Sequence, residues 1–153
     1  MIFFFSSFPL SDKPEMERLS EAEAPQGGNE LILVVDDEEP IRSVAKEVRE
    51  TYGYRVLLAE DGAGAIAVYK QHDGDIGLVI LDMVMPMMGG HETFLKLRAH
   101  NPAVKAILST GYSQNGKAQE ILDSGVMGFI QKPYQVNALL SKVRSALDAE
   151  IHA

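Results

Sequence analysis

Residues 31–42 read LILVVDDEEPIR. Five apolar residues in a row fit a strand covered on both faces, as in a parallel sheet. Asp36 and Asp37 end the run. Pro40 then suits the first position of a helix, and Glu38 and Glu39 favour the positive end of its dipole. Ile41, Val44, Ala45 and Val48 continue at helical spacing. A strand therefore runs directly into a helix, with two carboxylates at the join.

The same grammar repeats outward from this stretch. Strand candidates follow at 55–59, 77–81, 104–109 and 128–131, with helical patterns between them. Asp61-Gly62 resembles a hairpin turn, but the helical spacing of Ala65, Ile66 and Tyr69 marks it as a strand-to-helix turn. The last helix shows Val136, Leu139, Leu140, Val143 and Leu147 along one side. Alternating β and α elements imply a parallel sheet with right-handed crossovers.

The carboxyl ends of parallel strands share one edge, where open α/β folds bind ligands. Asp36 and Asp37 follow LILVV, Asp82 follows LVIL, Thr110 follows AILS and Lys132 follows GFIQ. These residues should meet in one pocket. Two like charges about 4 Å apart cost roughly 4 kcal/mol at an effective dielectric near 20. Three carboxylates either raise their pKa values or recruit a cation. Oxygen ligands without cysteine select a hard ion, and Mg²⁺ fits best because it also accepts phosphate oxygens. Asp82 is the candidate nucleophile, forming an acyl phosphate. Mg²⁺ and Lys132 would neutralise the transferred group, and Thr110 could donate its hydroxyl to it. Taken singly, Asp36-Asp37 could be a helix cap, Thr110 a turn residue and Lys132 a surface lysine. Their shared position at strand ends argues against those readings.

The chain has 153 residues, a formal net charge of −8 and no cysteine. That length suits one domain with a real core. The acidic balance argues against nucleic acid, and no apolar segment is long enough to span a bilayer. Without cysteine there is no disulfide framework and no thiolate metal site, which fits a reducing compartment. Residues 1–29 hold Pro9, Pro14 and Pro25, an acidic run over Asp12 to Glu23, and Gly27-Gly28, and they read as a disordered linker or extension. The opening MIFFFSSFPL lacks the basic start and small-residue cleavage site of a signal peptide. The folded part is expected over 30–149, with 150–153 a tail.

The strings LILVVDDEEPIR, LVILDMVMPMMGG, ILSTGYS and GFIQKPY together resemble the receiver domain of two-component response regulators. The resemblance spans about residues 30–149. It implies an α/β, doubly wound, flavodoxin-like sheet of five parallel strands in the order 2-1-3-4-5, with five helices. It makes Asp82 the phosphoacceptor, Asp37 a direct Mg²⁺ ligand and Asp36 a ligand acting largely through water. The Val84 backbone carbonyl completes the metal set. Thr110 matches the switch hydroxyl, Lys132 the phosphate-contacting lysine and Phe129 the switching aromatic, and Lys132-Pro133 is expected to be cis. Pro86 and Gly90 would shape the loop after the nucleophile, with Gly90 allowing φ > 0.

The implied partners are a histidine kinase or phosphotransfer protein and an unidentified downstream protein, in the cytoplasm. The exposed part of the last helix leaves room for a homodimer. Few residues follow that helix, so no output domain is expected after it. The chain then fits a single-domain regulator or the C-terminal receiver of a hybrid histidine kinase, and the wording of the motifs leans to the latter. The expected role is signalling by self-phosphorylation and conformational change, not turnover of a metabolite. Two other functions compete. A phosphatase of the haloacid-dehalogenase type needs a second Asp two residues after the first, where this chain has Val84. A structural interaction module of the same fold would not use the pocket.

Val84 and Tyr112 should flank the water that hydrolyses the acyl phosphate, and an apolar Val84 cannot orient it. His72, His91, His100 and His152 show no ligand spacing, and His91 is expected to be a solvated helix-start residue. Met83, Met85, Met87 and Met88 crowd the loop after Asp82 and are expected to pack or to fill it.

Overall fold

The computed structural model describes residues 27–111 and 118–150. Pro9, Pro14, Pro25, the acidic run, Tyr112 and His152 lie outside them. Strands β1 (Leu31–Val35), β2 (Arg55–Ala59), β3 (Ile76–Asp82), β4 (Ala106–Thr110) and β5 (Phe129–Gln131) alternate with helices α1 (Glu39–Tyr52), α2 (Gly62–Gln71), α3 (Gly90–His100), α4 (Ala118–Asp123) and α5 (Val136–Asp148). The strands form one parallel sheet in the order β2-β1-β3-β4-β5. That is the expected 2-1-3-4-5 order. The pattern misplaced several strand ends. Asp82 and Thr110 are the last residues of their strands, not the first residues after them.

Period-two alternation sorts the strand residues into two apolar layers. Leu33, Val35, Val79, Leu81, Ala106 and Leu108 face one side, against Ala65 and Tyr69 of α2, Phe94 and Leu97 of α3, and Ile121 of α4. Ile32, Val34, Leu78, Ile80, Ile107 and Ile130 face the other, against Ile41 and Val48 of α1 and Leu139, Leu140 and Val143 of α5. β1 is buried along its whole length. Strand β2 lies at the edge and is half exposed. The helix starts obey local chemistry. Asp61 accepts the Gly64 N–H at 2.7 Å and so caps α2, and Pro40 lies in the first turn of α1.

The amino edge of the sheet is closed by paired charges. Arg144 of α5 reaches Glu30 at 2.5 Å and Asp148 at 2.8 Å. It also donates to the Tyr54 hydroxyl at 3.3 Å and the Gly27 carbonyl at 3.4 Å. Lys105 donates to the carbonyls of Leu147 and Ala149 at 2.7 and 2.6 Å. There it satisfies helix-end acceptors at the negative end of the dipole. The Arg144 guanidinium holds the Glu30 carboxyl below its ordinary range.

Candidate functional site

The opposite edge gathers the polar residues. β1 and β3 are neighbours, yet α1 and α3 leave them toward opposite faces of the sheet. The crevice this opens is the switch point of a doubly wound sheet. Asp36 follows β1 and Asp82 ends β3. Asp36, Asp82 and Thr110 are each buried to 6–7% exposure, while Asp37 is exposed. Three backbone bonds set this edge: Asp36 N–H to the Ala59 carbonyl at 3.0 Å, Met83 N–H to Ser109 at 2.8 Å, and Lys132 N–H to Thr110 at 2.8 Å. The Lys132–Pro133 bond is cis.

Lys132 occupies the centre. Its ammonium lies 2.6 Å from Glu38 Oε1, 2.7 Å from Asp36 Oδ2 and 3.1 Å from Asp82 Oδ2. Burial alone would depress its pKa, but Asp36, Glu38 and Asp82 together push it above the ordinary lysine range. It therefore stays charged. Asp82 moves the other way from most ion-paired acids. Burial pushes its pKa up, and the Asp36 charge adds to this. The Lys132 ammonium and the Val84 N–H, which Oδ1 accepts at 3.2 Å, pull it back only in part.

The donor set tests the fit of a metal. Asp36, Asp37 and Asp82 each offer a carboxylate oxygen, all within 4.8 Å of one another. Asp36 Oδ1 accepts the Glu38 N–H at 3.0 Å. Its Oδ2 is buried and has the nearby ammonium but no well-aligned hydrogen bond. A buried carboxylate oxygen with unused acceptor capacity, among oxygen donors alone, suits a hard cation such as Mg²⁺. The three residues would hold it at the floor of an open cleft of about 640 Å³. Pro40, Ile41, Val44, Val84, Pro133 and Tyr134 make its apolar shoulders.

Phe129 begins β5, half-buried against the layer containing Leu108. Val84 is 68% exposed at the cleft. Gly90 corrects an expectation, because it has no positive φ. Instead, a Cβ there would lie 2.4 Å from the Asp82 carbonyl oxygen, so close backbone approach demands glycine. The left-handed residue of this loop is Met87, at φ 69°, whose side chain is fully exposed. Met85 packs into the core. His91 is part-buried rather than solvated, with Nε2 at 3.0 Å from Ser124 Oγ.

Two residues of the site escaped the sequence reading. Glu38 reads as a helix-dipole residue, yet its carboxylate lies on Lys132. Tyr134 carries only the signal of an aromatic after Lys132-Pro133. Burial pushes its hydroxyl up to about 12, with Ser109 pulling it down and the Asp36 charge pushing it further up. Neither the Tyr134 nor the Ser109 hydroxyl makes a well-aligned hydrogen bond.

Comparison with known proteins adds four findings. The response regulator receiver domain family matches residues 32–144. Chemotaxis protein CheY of Halobacterium salinarum is 30% identical over 118 residues, covering 77% of this chain and 97% of that protein. Sensor kinase CckA of Brucella abortus is 28% identical over 123 residues; these are 80% of this chain but only 13% of that protein. Among solved structures, the CheX–CheY–BeF3–Mg complex from Borrelia burgdorferi superposes with a TM-score of 0.71 at 26% identity, covering 76% of this chain and 87% of the matched one.

Proposed function

Because the chain belongs to the response regulator receiver domain family, we propose that Asp82 accepts a phosphoryl group from a phosphohistidine of a kinase or phosphotransfer protein, with Mg²⁺ held by Asp36, Asp37 and Asp82. The observation that carries this reading is the Lys132 ammonium, shared between Asp36 and Asp82 on the floor of an open cleft.

An Asp82 oxygen attacks phosphorus, the new O–P bond forms, and the P–N bond to the donor imidazole breaks. Such transfer depends on position and charge neutralisation more than on covalent help. Lys132 supplies a fixed positive charge beside the attacked phosphorus. The bound cation would supply Lewis-acid neutralisation of the phosphoryl oxygens. The Val84 backbone carbonyl would be the fourth ligand to hold it. The apolar shoulders of the cleft offer the donor protein a surface to dock on.

Signalling follows from the new charge. The phosphoryl group adds acceptor oxygens next to the lysine. Thr110, buried at the end of β4, turns its hydroxyl to them. Phe129, on the adjacent strand, then takes the space vacated. Moving such a switch from mostly off to mostly on takes about 5.5 kcal/mol, and a few charge-assisted hydrogen bonds supply that order. The reshaped face of α4, β5 and α5 is what a downstream protein would read.

Intact-mass measurement with acetyl phosphate and Mg²⁺ tests the reading beside Asp82→Ala. The wild type should gain one phosphoryl group and the variant none. A folded wild type that gains nothing would leave the interaction-module reading in its place.

A further inference from the structure

The shortest contact of the Lys132 ammonium is not with the proposed phosphoacceptor. It is with Glu38, at 2.6 Å, against 3.1 Å to Asp82. The Glu38 backbone is tied into the turn, its N–H donating to Asp36 Oδ1 and its carbonyl accepting the Ile41 N–H. Glu38 stands at the N-cap of α1, but its side chain makes no capping hydrogen bond. Its side chain is 58% exposed whereas that of Lys132 is 19% exposed, so an acid at the cleft mouth reaches inward to a lysine below it. Asp36 cannot take that outward position, because its carboxylate is buried.

We propose that Glu38 is a positioning residue that restrains Lys132 in the unphosphorylated protein and competes with the phosphoryl group for its ammonium. The inference rests on the phosphoacceptor reading above and adds a residue that tunes it. Lys132 has three hydrogens to donate; at rest it donates to Glu38 and Asp82 and lies in ion-pair contact with Asp36. When phosphoryl oxygens arrive on Asp82, a donor must be released to reach them. Glu38 is the partner that gives way, because water can replace the lysine at an exposed carboxylate at little cost. Part of the energy of the new lysine–phosphoryl contact is spent on this release. The phosphorylated state is thereby made less favourable, and its formation more dependent on the metal and the donor protein.

Two variants separate the pairing from the charge. Glu38→Ala removes both. Glu38→Asp keeps the charge but is one methylene shorter, and aspartate at an N-cap turns to the helix amides. The probe is beryllofluoride, a phosphoryl mimic, titrated calorimetrically at saturating Mg²⁺. Both variants should bind it about threefold more tightly than the wild type, the size of an exposed ion pair. In the metal-free proteins, the Lys132 side-chain NMR signals should shift in both variants, which a change in helix capping alone would not cause. Equal affinities in all three proteins overturn the inference and leave the phosphoacceptor reading standing. Tightening in Glu38→Ala alone also overturns it, since that result reports relief of charge repulsion and not release of the lysine. No binding by the wild type overturns the phosphoacceptor reading and this inference with it.

Discussion

At the amino edge of the sheet Arg144 is enclosed by Glu30, Asp148, the Tyr54 hydroxyl and the Gly27 carbonyl. At the carboxyl edge Lys132 is divided among Asp36, Glu38 and Asp82. The two cations face similar numbers of acceptors with opposite results. Arg144 holds Glu30 down in pKa, so that pair stabilises the fold. Lys132 does not prevent burial from pushing Asp82 up, so the carboxyl edge retains an unfavourable charge. The amino, or lower, edge has been built for stability, and the carboxyl, or upper, edge keeps an electrostatic cost that an added cation can relieve. Folding and the proposed phosphoryl chemistry should thus be separable by mutation.

The largest expected effect is at the lower edge. Arg144→Ala removes charge-assisted hydrogen bonds from a side chain only 20% exposed, and should cost about 2 kcal/mol in urea unfolding. Phosphoryl uptake by the folded fraction should not change. Loss of uptake in folded Arg144→Ala would break the separation between the edges. At the upper edge, Val84→Asn places a polar group at the cleft where the wild type has an apolar one. It should shorten the lifetime of the phosphorylated form by about tenfold, less than a full general base provides. Timed mass spectra check this. A wild-type lifetime of only seconds would show that no such brake exists.

Asp82→Asn sharpens the comparison from the side of stability. The folded pKa of Asp82 lies above its ordinary value of 3.8, with burial the main cause. Between the unfolded and folded values the folded protein binds more protons, so stability falls as pH rises through that interval. At neutral pH the ionised carboxylate is therefore a cost, and the neutral amide should raise the melting temperature by a few degrees in metal-free buffer. Mg²⁺ should stabilise the wild type and not the variant, narrowing the gap. A less stable Asp82→Asn in metal-free buffer would mean that the lysine contact outweighs desolvation there.

The sheet was legible because its strands are continuous apolar runs, and such runs have one comfortable home in a sheet covered on both sides. The shared edge followed from parallel topology, which brought Asp36, Asp82, Thr110 and Lys132 together without any contact being known. What stayed hidden depended on side-chain reach and backbone approach. Glu38 carries a helix-start signal, and nothing in its spacing says that its carboxylate turns back to a lysine 94 positions away in sequence. Gly90 is marked as a loop glycine whether the need is positive φ or closeness to Asp82. The Glu30–Arg144 pair joins two residues 114 positions apart, each of which alone is an ordinary surface charge. Ion pairs of this kind have no local pattern to read.

That pair also sets the smallest and most specific effect. The Glu30 carboxyl is lowered from its ordinary 4.5, chiefly by its hydrogen bonds with Arg144. The unfolded chain then binds more protons than the folded one between those two values, so stability rises with pH across that interval. The contribution is complete above the unfolded value, and it disappears as pH falls through the folded one. Glu30→Gln should therefore be less stable than the wild type at neutral pH, by up to about 1 kcal/mol for a partly exposed pair. The two melting curves should converge on acidification below the carboxylate range. Asp82→Asn is expected to be the more stable protein at neutral pH, and its curve should also meet the wild type's in acid, from above. Two single-atom-scale changes, one at each edge, would then give differences of opposite sign that both close in acid. If both variants were destabilised alike, the carboxyl edge would be as well paired as the amino edge, and the unrelieved charge assigned to Asp82 would not be there.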